Sequence, residues 1–108
     1  MRLHHSFEWD EEKAVRNLKK HDVSFDDAAR VLADEEGSFY HVEEFDIHHS
    51  DDEDRYITTA SHPDDRLIVL RISWTDRSSR SLGMTRIVSA RLATKGERKS
   101  YAKEISKN

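Results

Sequence analysis

The chain contains no cysteine and no long apolar segment. Without cysteine there is no disulfide framework, no thiolate zinc site and no thiol nucleophile. No run approaches the roughly 18 apolar residues of a membrane-spanning helix, and the opening MRLHHS lacks the apolar stretch of a signal peptide. The sequence therefore predicts a cytoplasmic protein with no membrane partner.

Length and composition limit the number of domains. The chain has 108 residues, of which 37% are charged and 35% hydrophobic. A chain of this size supports one hydrophobic core but not two, and the core must come from a few well-patterned segments. We therefore expect a single domain over residues 1–108.

Acidic and basic side chains are unevenly distributed along the chain. Residues 1–65 contain 19 Asp or Glu and 7 Lys or Arg, whereas residues 66–108 contain 3 and 11. Such segregation indicates that one region meets a polyanion or an acidic partner, while the other repels it or binds something basic. A mixed, solvated surface in the folded chain is an equal alternative, because sequence halves need not be spatial halves.

Three segments have the signals of helices. In FEWDEEKAVRNLKKHD, Asp10 is a plausible N-cap, acidic residues follow it, and basic residues fill the last turn. Ser24 and Asp27 have the spacing of a capping box for a second helix. Thr94 and Glu97 have the same spacing and begin a third helix, through about residue 105.

Three other segments have the alternation and β-branched content of strands: RYITTAS (55–61), RLIVLRISW (66–74) and MTRIVSARL (84–92). They predict an antiparallel meander, with the apolar run 67–70 in a central strand covered on both faces. Residues 34–54 are predicted to form one irregular strand and an exposed acidic loop. Two N-terminal helices and a C-terminal helix packed on three to four strands give an α+β fold.

The last strand carries two arginines whose positions matter for any anion site. A strict period of two places Arg86, Val88 and Ala90 on one face and Ile87, Ser89 and Arg91 on the other. The two arginines are therefore not expected to form one flat patch. Arg91 lies beside the start of the third helix, where free backbone N–H groups also favour an anion such as phosphate.

The third helix has a cationic side. Lys95, Lys99 and Lys103 recur every four residues, with Arg98 and Tyr101 on an adjoining side. This stripe can follow an RNA backbone, or it can be a solvated helix face. Tyr101 can pack its ring on the sheet or stack on a base. For Glu97 the structural task of capping is favoured over chemistry.

The segment HHSDDEDRY (48–56) combines histidines, carboxylates and an arginine ahead of the first clear strand. Proton transfer near neutral pH suits histidine, and phosphate chemistry suits a cation such as arginine. His41, His48, His49 and His62 with these acids could instead bind a divalent metal. Their spacing matches no defined metal motif, so we expect neither a metal nor another cofactor.

Three motifs in register resemble the BrnT family of bacterial type II toxins: FEWDEEKAVRNLKKHDVSF (7–25), HSDDEDRYIT (49–58) and RIVSARLATKGERKSY (86–101). The resemblance implies a RelE-like fold and a metal-independent endoribonuclease that blocks translation. It also implies RNA as substrate and neutralisation by a BrnA-like antitoxin with a ribbon-helix-helix domain. Operator DNA would be bound only through that antitoxin.

The resemblance also implies roles for individual residues. The positions that match the family pattern are Lys13, Asn17, Lys20, His21, His49, Glu53, Arg55, Arg86, Ser89, Arg91, Glu97 and Tyr101. The implied reaction is attack of a ribose 2′-hydroxyl on the adjacent phosphate, with Arg91 and Arg86 stabilising the charge of the phosphorane. Glu53 or His49 would act as base and Tyr101 or His21 as acid. The residues expected to bind RNA are Arg55, Lys20, His21, Lys95, Arg98 and Lys99.

Three features depart from the family pattern: Asp22, the loop TDRSSRSLGM, and the residues MRLHHS, which precede the family start. Asp22 stands where the family usually has glycine, at a helix exit that is expected to need a positive φ. The loop TDRSSRSLGM is longer than the expected turn, and Arg77 and Arg80 within it either add RNA contacts or block them. The competing hypotheses are a non-catalytic module that binds nucleic acid or protein, and a metal hydrolase built on the histidines and aspartates.

Overall fold

A computed structural model describes residue 4 and residues 6–34, 40–50, 53–79 and 82–107. The elements in chain order are β1 (Ser6–Glu8), α1 (Glu11–His21), α2 (Phe25–Ala33), β2 (Val42–Phe45), β3 (Arg55–Ser61), β4 (Val69–Asp76), β5 (Met84–Leu92) and α3 (Lys95–Ser106). This order confirms the predicted α+β class, with two helices near the start and one at the end. In the described part of the chain, no helix has the length and apolar composition needed to cross a bilayer.

The described strands form one mixed sheet in the order β1-β5-β4-β3-β2. The predicted meander of β3, β4 and β5 is confirmed, and β2 adds an antiparallel strand at its edge. At the other edge β1 pairs in parallel with β5. The sequence predicted three to four strands and missed β1, because a strand of three residues shows too little alternation to be recognised.

The helix ends follow the predicted signals. The Asp10 carboxylate accepts hydrogen bonds from two backbone N–H groups in the first turn of α1. The Ser24 hydroxyl accepts one from the Asp27 N–H at 3.0 Å at the start of α2. Asp22 ends α1 with φ of 55°, the left-handed conformation that the sequence predicted at this exit.

The start of β4 differs from the prediction. The apolar run 67–70 was expected to lie within a covered strand, but β4 begins at Val69. The Ile68 N–H donates to the Asp65 carbonyl at 3.0 Å, which closes a turn before the strand. Leu67 and Ile68 are consequently 89% and 39% exposed, so the prediction of buried positions was wrong for these two residues.

The main core lies between one face of the sheet and the helices α1 and α2. Its buried members are Val23, Phe25, Ala28, Val31, Leu32, Ala60, Leu70, Ile72, Trp74, Ile87 and Ala90. The buried Asn17 side chain links this layer to β5, because its amide donates to the Ala90 and Val23 carbonyls at 2.8 and 2.9 Å. The Asn17 side-chain oxygen also accepts from the Ala90 N–H. Asn17 thus makes the hydrogen bonds that a neighbouring strand would otherwise provide.

Candidate nucleic-acid interface and catalytic site

A β-bulge places the two arginines of β5 on the same face of the sheet. Trp74 of β4 pairs with Ile87, whereas Ser73 pairs with Ser89, so Val88 is an extra residue in β5. After Val88, each side chain of β5 points to the face opposite to the one that uninterrupted alternation would give. The prediction that Arg86 and Arg91 face opposite sides was therefore wrong, because it assumed an uninterrupted period of two.

The face that carries these arginines is called the arginine face. Its rows across β3, β4 and β5 are Arg55, Thr75 and Arg86, then Ile57, Ser73 and Ser89, then Thr59, Arg71 and Arg91. The intervening residues, such as Ile72 and Trp74, point into the core beneath α1 and α2. Thr75 and Arg71 are four residues apart, so about 13 Å separates the outer rows. Four arginines therefore occupy two ends of one surface.

The first end is called the helix end and comprises Glu44, Thr59, Arg71, Arg91 and Glu97. Arg91 makes a bidentate pair with the Glu97 carboxylate at 2.7 and 2.9 Å. Arg71 contacts Glu97 through Nε at 3.0 Å and Glu44 through a terminal nitrogen at 2.9 Å. Its other terminal nitrogen donates to the Thr59 hydroxyl at 3.2 Å. Both guanidinium groups are thus bound within the protein.

Glu97 is held as a carboxylate by several donors. The hydrogen bond from Arg91 is the largest effect that lowers the pKa of Glu97, to about 2, against the opposing effect of burial. The Thr94 N–H and the charge of Arg71 lower it further. Thr94 and Glu97 also form the predicted capping box at the start of α3, which is confirmed. Glu97 therefore joins the helix start to the arginine face.

A cavity of about 640 Å³ adjoins the helix end between β2 and α3. Its lining includes Arg71, but also three carboxylates from Glu44, Glu97 and Glu104. This excess of negative charge makes the cavity itself unsuited to a phosphate group.

The second end is called the loop end and comprises Asp46, His49, Arg55 and Arg86, beside the loop between β2 and β3. The Asp46 carboxylate is buried, and both of its oxygens lie 3.0 to 3.1 Å from Nδ1 of His49. The Asp46 N–H donates to the Arg55 carbonyl at 2.8 Å, which continues the pairing of β2 with β3. The pairing of β2 with β3 therefore holds Asp46 beside Arg55, and Asp46 in turn holds His49.

The arginines of the loop end are less engaged than those of the helix end. Arg86 contacts Glu8 at 3.5 Å. Nε of Arg55 is buried without a hydrogen-bond partner among the described residues. Among the described residues, these two arginines as a pair are therefore neutralised by fewer carboxylates than Arg71 and Arg91, which leaves more of their positive charge to attract an anion such as phosphate.

Glu53 and Tyr101 were predicted as a base and an acid, and both have partners. The exposed Glu53 carboxylate accepts from Arg77 at 2.9 Å. Tyr101 is only 6% exposed, and its hydroxyl lies 3.1 Å from that of Ser61. Its ring packs with Val69 in a small second core under α3. Of the two alternatives for Tyr101, the structure shows packing on the sheet.

The remaining predicted RNA-binding residues lie on two helices. Lys20 and His21 are in the last turn of α1, in the helix layer on the opposite side of the sheet from the arginine face. Lys95, Arg98 and Lys99 are exposed on the first turns of α3, next to the helix end. The structure therefore brings the α3 cations, but not those of α1, beside the arginine face.

The histidines considered as metal ligands do not converge. His62 lies 3.3 Å from Asp27 of α2, whereas His49 pairs with Asp46 on the other side of the sheet. Within the described ranges no three His, Asp or Glu side chains are grouped closely enough to hold a metal ion.

Three residues of this surface were missed by sequence reasoning: Glu44, Asp46 and Arg71. A charged residue inside the apolar run of β4 is a signal that could have singled out Arg71. Nothing local distinguishes Glu44 from the other acids around it, since its partner Arg71 comes from β4. Asp46 lies three residues before His49, but several acids stand equally close to this histidine in sequence.

Comparison with known proteins agrees with this description. A family model described as "Ribonuclease toxin, BrnT, of type II toxin-antitoxin system" matches residues 9–97. The chain belongs to this family. The predicted resemblance to BrnT toxins is thereby confirmed. No curated protein matches the chain.

A solved structure shows the same fold. The crystal structure of the Brucella abortus ribonuclease toxin BrnT, determined at 1.1 Å, matches with a TM-score of 0.53 and 18% sequence identity. The match covers 88% of this chain and 99% of the BrnT chain. At this low identity the likeness shows a shared fold, so individual roles must be argued from the side chains present here.

Proposed function

We propose that this chain is a toxin that cleaves RNA without a metal ion, by attack of a 2′-hydroxyl on the adjacent phosphate, and thereby inhibits translation. The proposal is supported chiefly by the gathering of Arg55, Arg71, Arg86 and Arg91 on one face of the sheet. A group of arginines suits the phosphates of a nucleic acid. The family name, ribonuclease toxin, agrees with that substrate.

The scissile phosphate is placed at the loop end. Arg86 and Arg55 flank Thr75 in one row across the sheet, and among the described residues they have, as a pair, fewer carboxylate contacts than Arg71 and Arg91. Together they would stabilise the additional negative charge that develops on phosphorus during attack. Of the two arginines expected to stabilise this charge, Arg86 keeps that role in the proposal.

The helix end is proposed to contact a more distant phosphate of the same RNA strand. Arg91 and Arg71 are oriented by Glu97, which fixes their direction but also offsets their charge. Lys95, Arg98 and Lys99 extend the positive surface along α3. These groups contribute mainly to binding, and they set the register of RNA on the arginine face.

The reaction leaves defined products. A base removes the proton of the 2′-hydroxyl, the 2′-oxygen bonds to phosphorus, and the bond from phosphorus to the 5′-oxygen breaks. The leaving 5′-oxygen takes a proton from water. One product ends in a 2′,3′-cyclic phosphate and the other begins with a 5′-hydroxyl.

The proposed partner is a BrnA-like antitoxin, as expected for a type II toxin–antitoxin system. To neutralise the toxin, the antitoxin would have to keep RNA from the arginine face. Operator DNA would be bound by the antitoxin and not by this chain. A basic protein partner is compatible with the many acidic residues in the first part of the chain.

The test is incubation of the purified protein, free of partner, with a mixed RNA pool in excess EDTA, followed by mapping of the new ends. We expect cleavage with 2′,3′-cyclic phosphate ends, and no cleavage when the mapped nucleotide carries a 2′-deoxyribose. Intact RNA at concentrations where the folded protein binds it would contradict the proposal and favour a non-catalytic module. Cleavage that requires a divalent metal would contradict the mechanism.

A further inference from the structure

We propose that Asp46 and His49 form the proton-transfer pair of this ribonuclease, with His49 as the catalytic base and Asp46 as its positioning residue. The inference rests on the proposed ribonuclease activity and adds to it the identity of the base. The family resemblance implied Glu53 or His49 as the base and gave Asp46 no role.

The geometry assigns a definite proton arrangement to His49. An ionised carboxylate only accepts hydrogen bonds, so Nδ1 of His49 carries the hydrogen that points to Asp46. The other ring nitrogen, Nε2, is then an acceptor in the neutral ring. The His49 side chain is 64% exposed, whereas that of Asp46 is 8% exposed. The basic nitrogen therefore remains open to a substrate while its partner is enclosed.

Asp46 is fixed by its own backbone. Its N–H donates to the Arg55 carbonyl at 2.8 Å, and its carbonyl accepts from the Ser50 hydroxyl at 2.6 Å. The same hydroxyl accepts from the Arg55 N–H at 2.9 Å. This network ties the turn that carries His49 to the first residue of β3. A catalytic base needs such rigidity to keep its direction toward the substrate.

The charges around the pair keep Asp46 ionised. Burial alone would raise the pKa of Asp46, but the hydrogen bond and charge of His49, together with the charge of Arg55, hold it below its ordinary value. Glu53, on the same loop, is paired with Arg77. As His49 accepts a proton, the Asp46 carboxylate stabilises the imidazolium that forms.

Other candidate bases on this side of the sheet are less suited to the task. Glu97 is a weak base, since two arginines hold its pKa at about 2. Glu53 is engaged by Arg77, and Tyr101 is buried under α3. The partner of His49 is also tied to Arg55, the arginine proposed to contact the scissile phosphate, because the Asp46 N–H donates to the Arg55 carbonyl at 2.8 Å.

The proton balance of the step is simple. Nε2 of His49 takes the proton of the 2′-hydroxyl while the bond from the 2′-oxygen to phosphorus forms. After the 5′-oxygen has left with a proton from water, His49 releases its proton to solvent. No other reactant is needed.

The first test is the tautomer of His49, read from its ring ¹⁵N shifts by NMR without RNA, at about pH 8, where histidine is generally neutral. We expect the Nδ1–H form in the wild type and a shift toward Nε2–H in Asp46→Ala. The wild-type measurement needs no variant and so remains decisive if Asp46→Ala fails to fold. A wild-type His49 in the Nε2–H form would overturn the pair.

The second test is kinetic. His49→Gln should lower kcat by about 10²- to 10⁴-fold, the usual contribution of a general base. Asp46→Asn should lower kcat by a smaller factor at unchanged KM, and the double variant should be no slower than His49→Gln. His48→Gln, which alters the adjacent exposed histidine, should cleave at the wild-type rate. An Asp46→Asn protein with wild-type kcat, or a further loss in the double variant, would contradict the role of Asp46.

The two tests separate this inference from the proposed activity. A wild type with the Nδ1–H form that cleaves no RNA would contradict the ribonuclease proposal. A wild type that cleaves RNA with His49 in the Nε2–H form would contradict the Asp46–His49 pair alone.

Discussion

The helix end and the loop end of the arginine face each carry two arginines, but the two pairs differ in their contacts with carboxylates. At the helix end Glu97 and Glu44 occupy the guanidinium groups of Arg91 and Arg71. At the loop end Arg86 has a 3.5 Å contact with Glu8, and Nε of Arg55 is unpaired within the described chain. The difference teaches that the number of arginines does not identify a phosphate site. The extent to which carboxylates already neutralise the arginines, and the presence of a nearby proton acceptor, are more informative.

The largest expected effect is that of Arg86→Ala on the chemical step. Removing a group that stabilises charge in the transition state should lower kcat by at least about 100-fold with little change in KM. The measurement is a kinetic comparison on one RNA of defined sequence.

The control for this variant is Glu8→Gln, which removes the carboxylate beside Arg86 while leaving the arginine in place. It should retain cleavage. An Arg86→Ala protein that folds as the wild type does and cleaves at its rate would remove Arg86 from the site.

The next effect concerns stability in acid. The pKa of Glu97 is lowered to about 2 from its ordinary value of 4.5, so its carboxylate stabilises the fold above the unfolded pKa. This contribution should be lost as pH falls from about 4.5 toward 2. We expect Glu97→Gln to be less stable than the wild type by about 2 kcal/mol at neutral pH and nearly equal to it near pH 2.

Urea unfolding of both proteins at the two pH values measures this difference. A Glu97→Gln defect that stays constant across that range would contradict the assignment of acid sensitivity to the Arg91–Glu97 pair.

Arg91→Ala should weaken binding more than chemistry. Loss of one phosphate contact should reduce RNA affinity by about tenfold and lower the slope of log affinity against log salt by about one. The measurement uses RNA with a 2′-deoxyribose at the cleavage site, so that binding is observed without reaction. An unchanged salt slope would exclude Arg91 from contact with the backbone.

The smallest effect is expected for Tyr101→Phe. This change removes the hydroxyl that pairs with Ser61 and leaves the buried ring in place. We expect a loss of about 1 kcal/mol in the free energy of unfolding and no loss of cleavage. A large fall in kcat would restore Tyr101 as the acid that the family resemblance implied.

Much of the fold was predictable because its signals are local. Asp10 as N-cap, the capping box of Thr94 and Glu97, and the bounds of β3 and β5 each follow from residues close together in sequence. The left-handed conformation of Asp22 was also expected, because the resembled family usually has glycine at this helix exit.

The site was harder to predict because its geometry depends on pairing between strands. The bulge at Val88 depends on the register of β5 against β4, and it alone brings Arg86 and Arg91 to one face. The cross-strand pairing of Arg71 with Arg91, and the contact of Asp46 with His49, likewise depend on how strands and loop are arranged. Alternation along one strand does not contain this information.

The most direct test of the difference between the two ends is single-turnover cleavage at saturating protein, in EDTA, by the wild type, Arg55→Ala and Arg91→Ala. Saturation removes the contribution of binding, so the rate constant reports the chemical step. We predict a loss of at least about 100-fold for Arg55→Ala and less than about tenfold for Arg91→Ala. A larger loss for Arg91→Ala than for Arg55→Ala would move the chemistry to the helix end and contradict its assignment to the loop end.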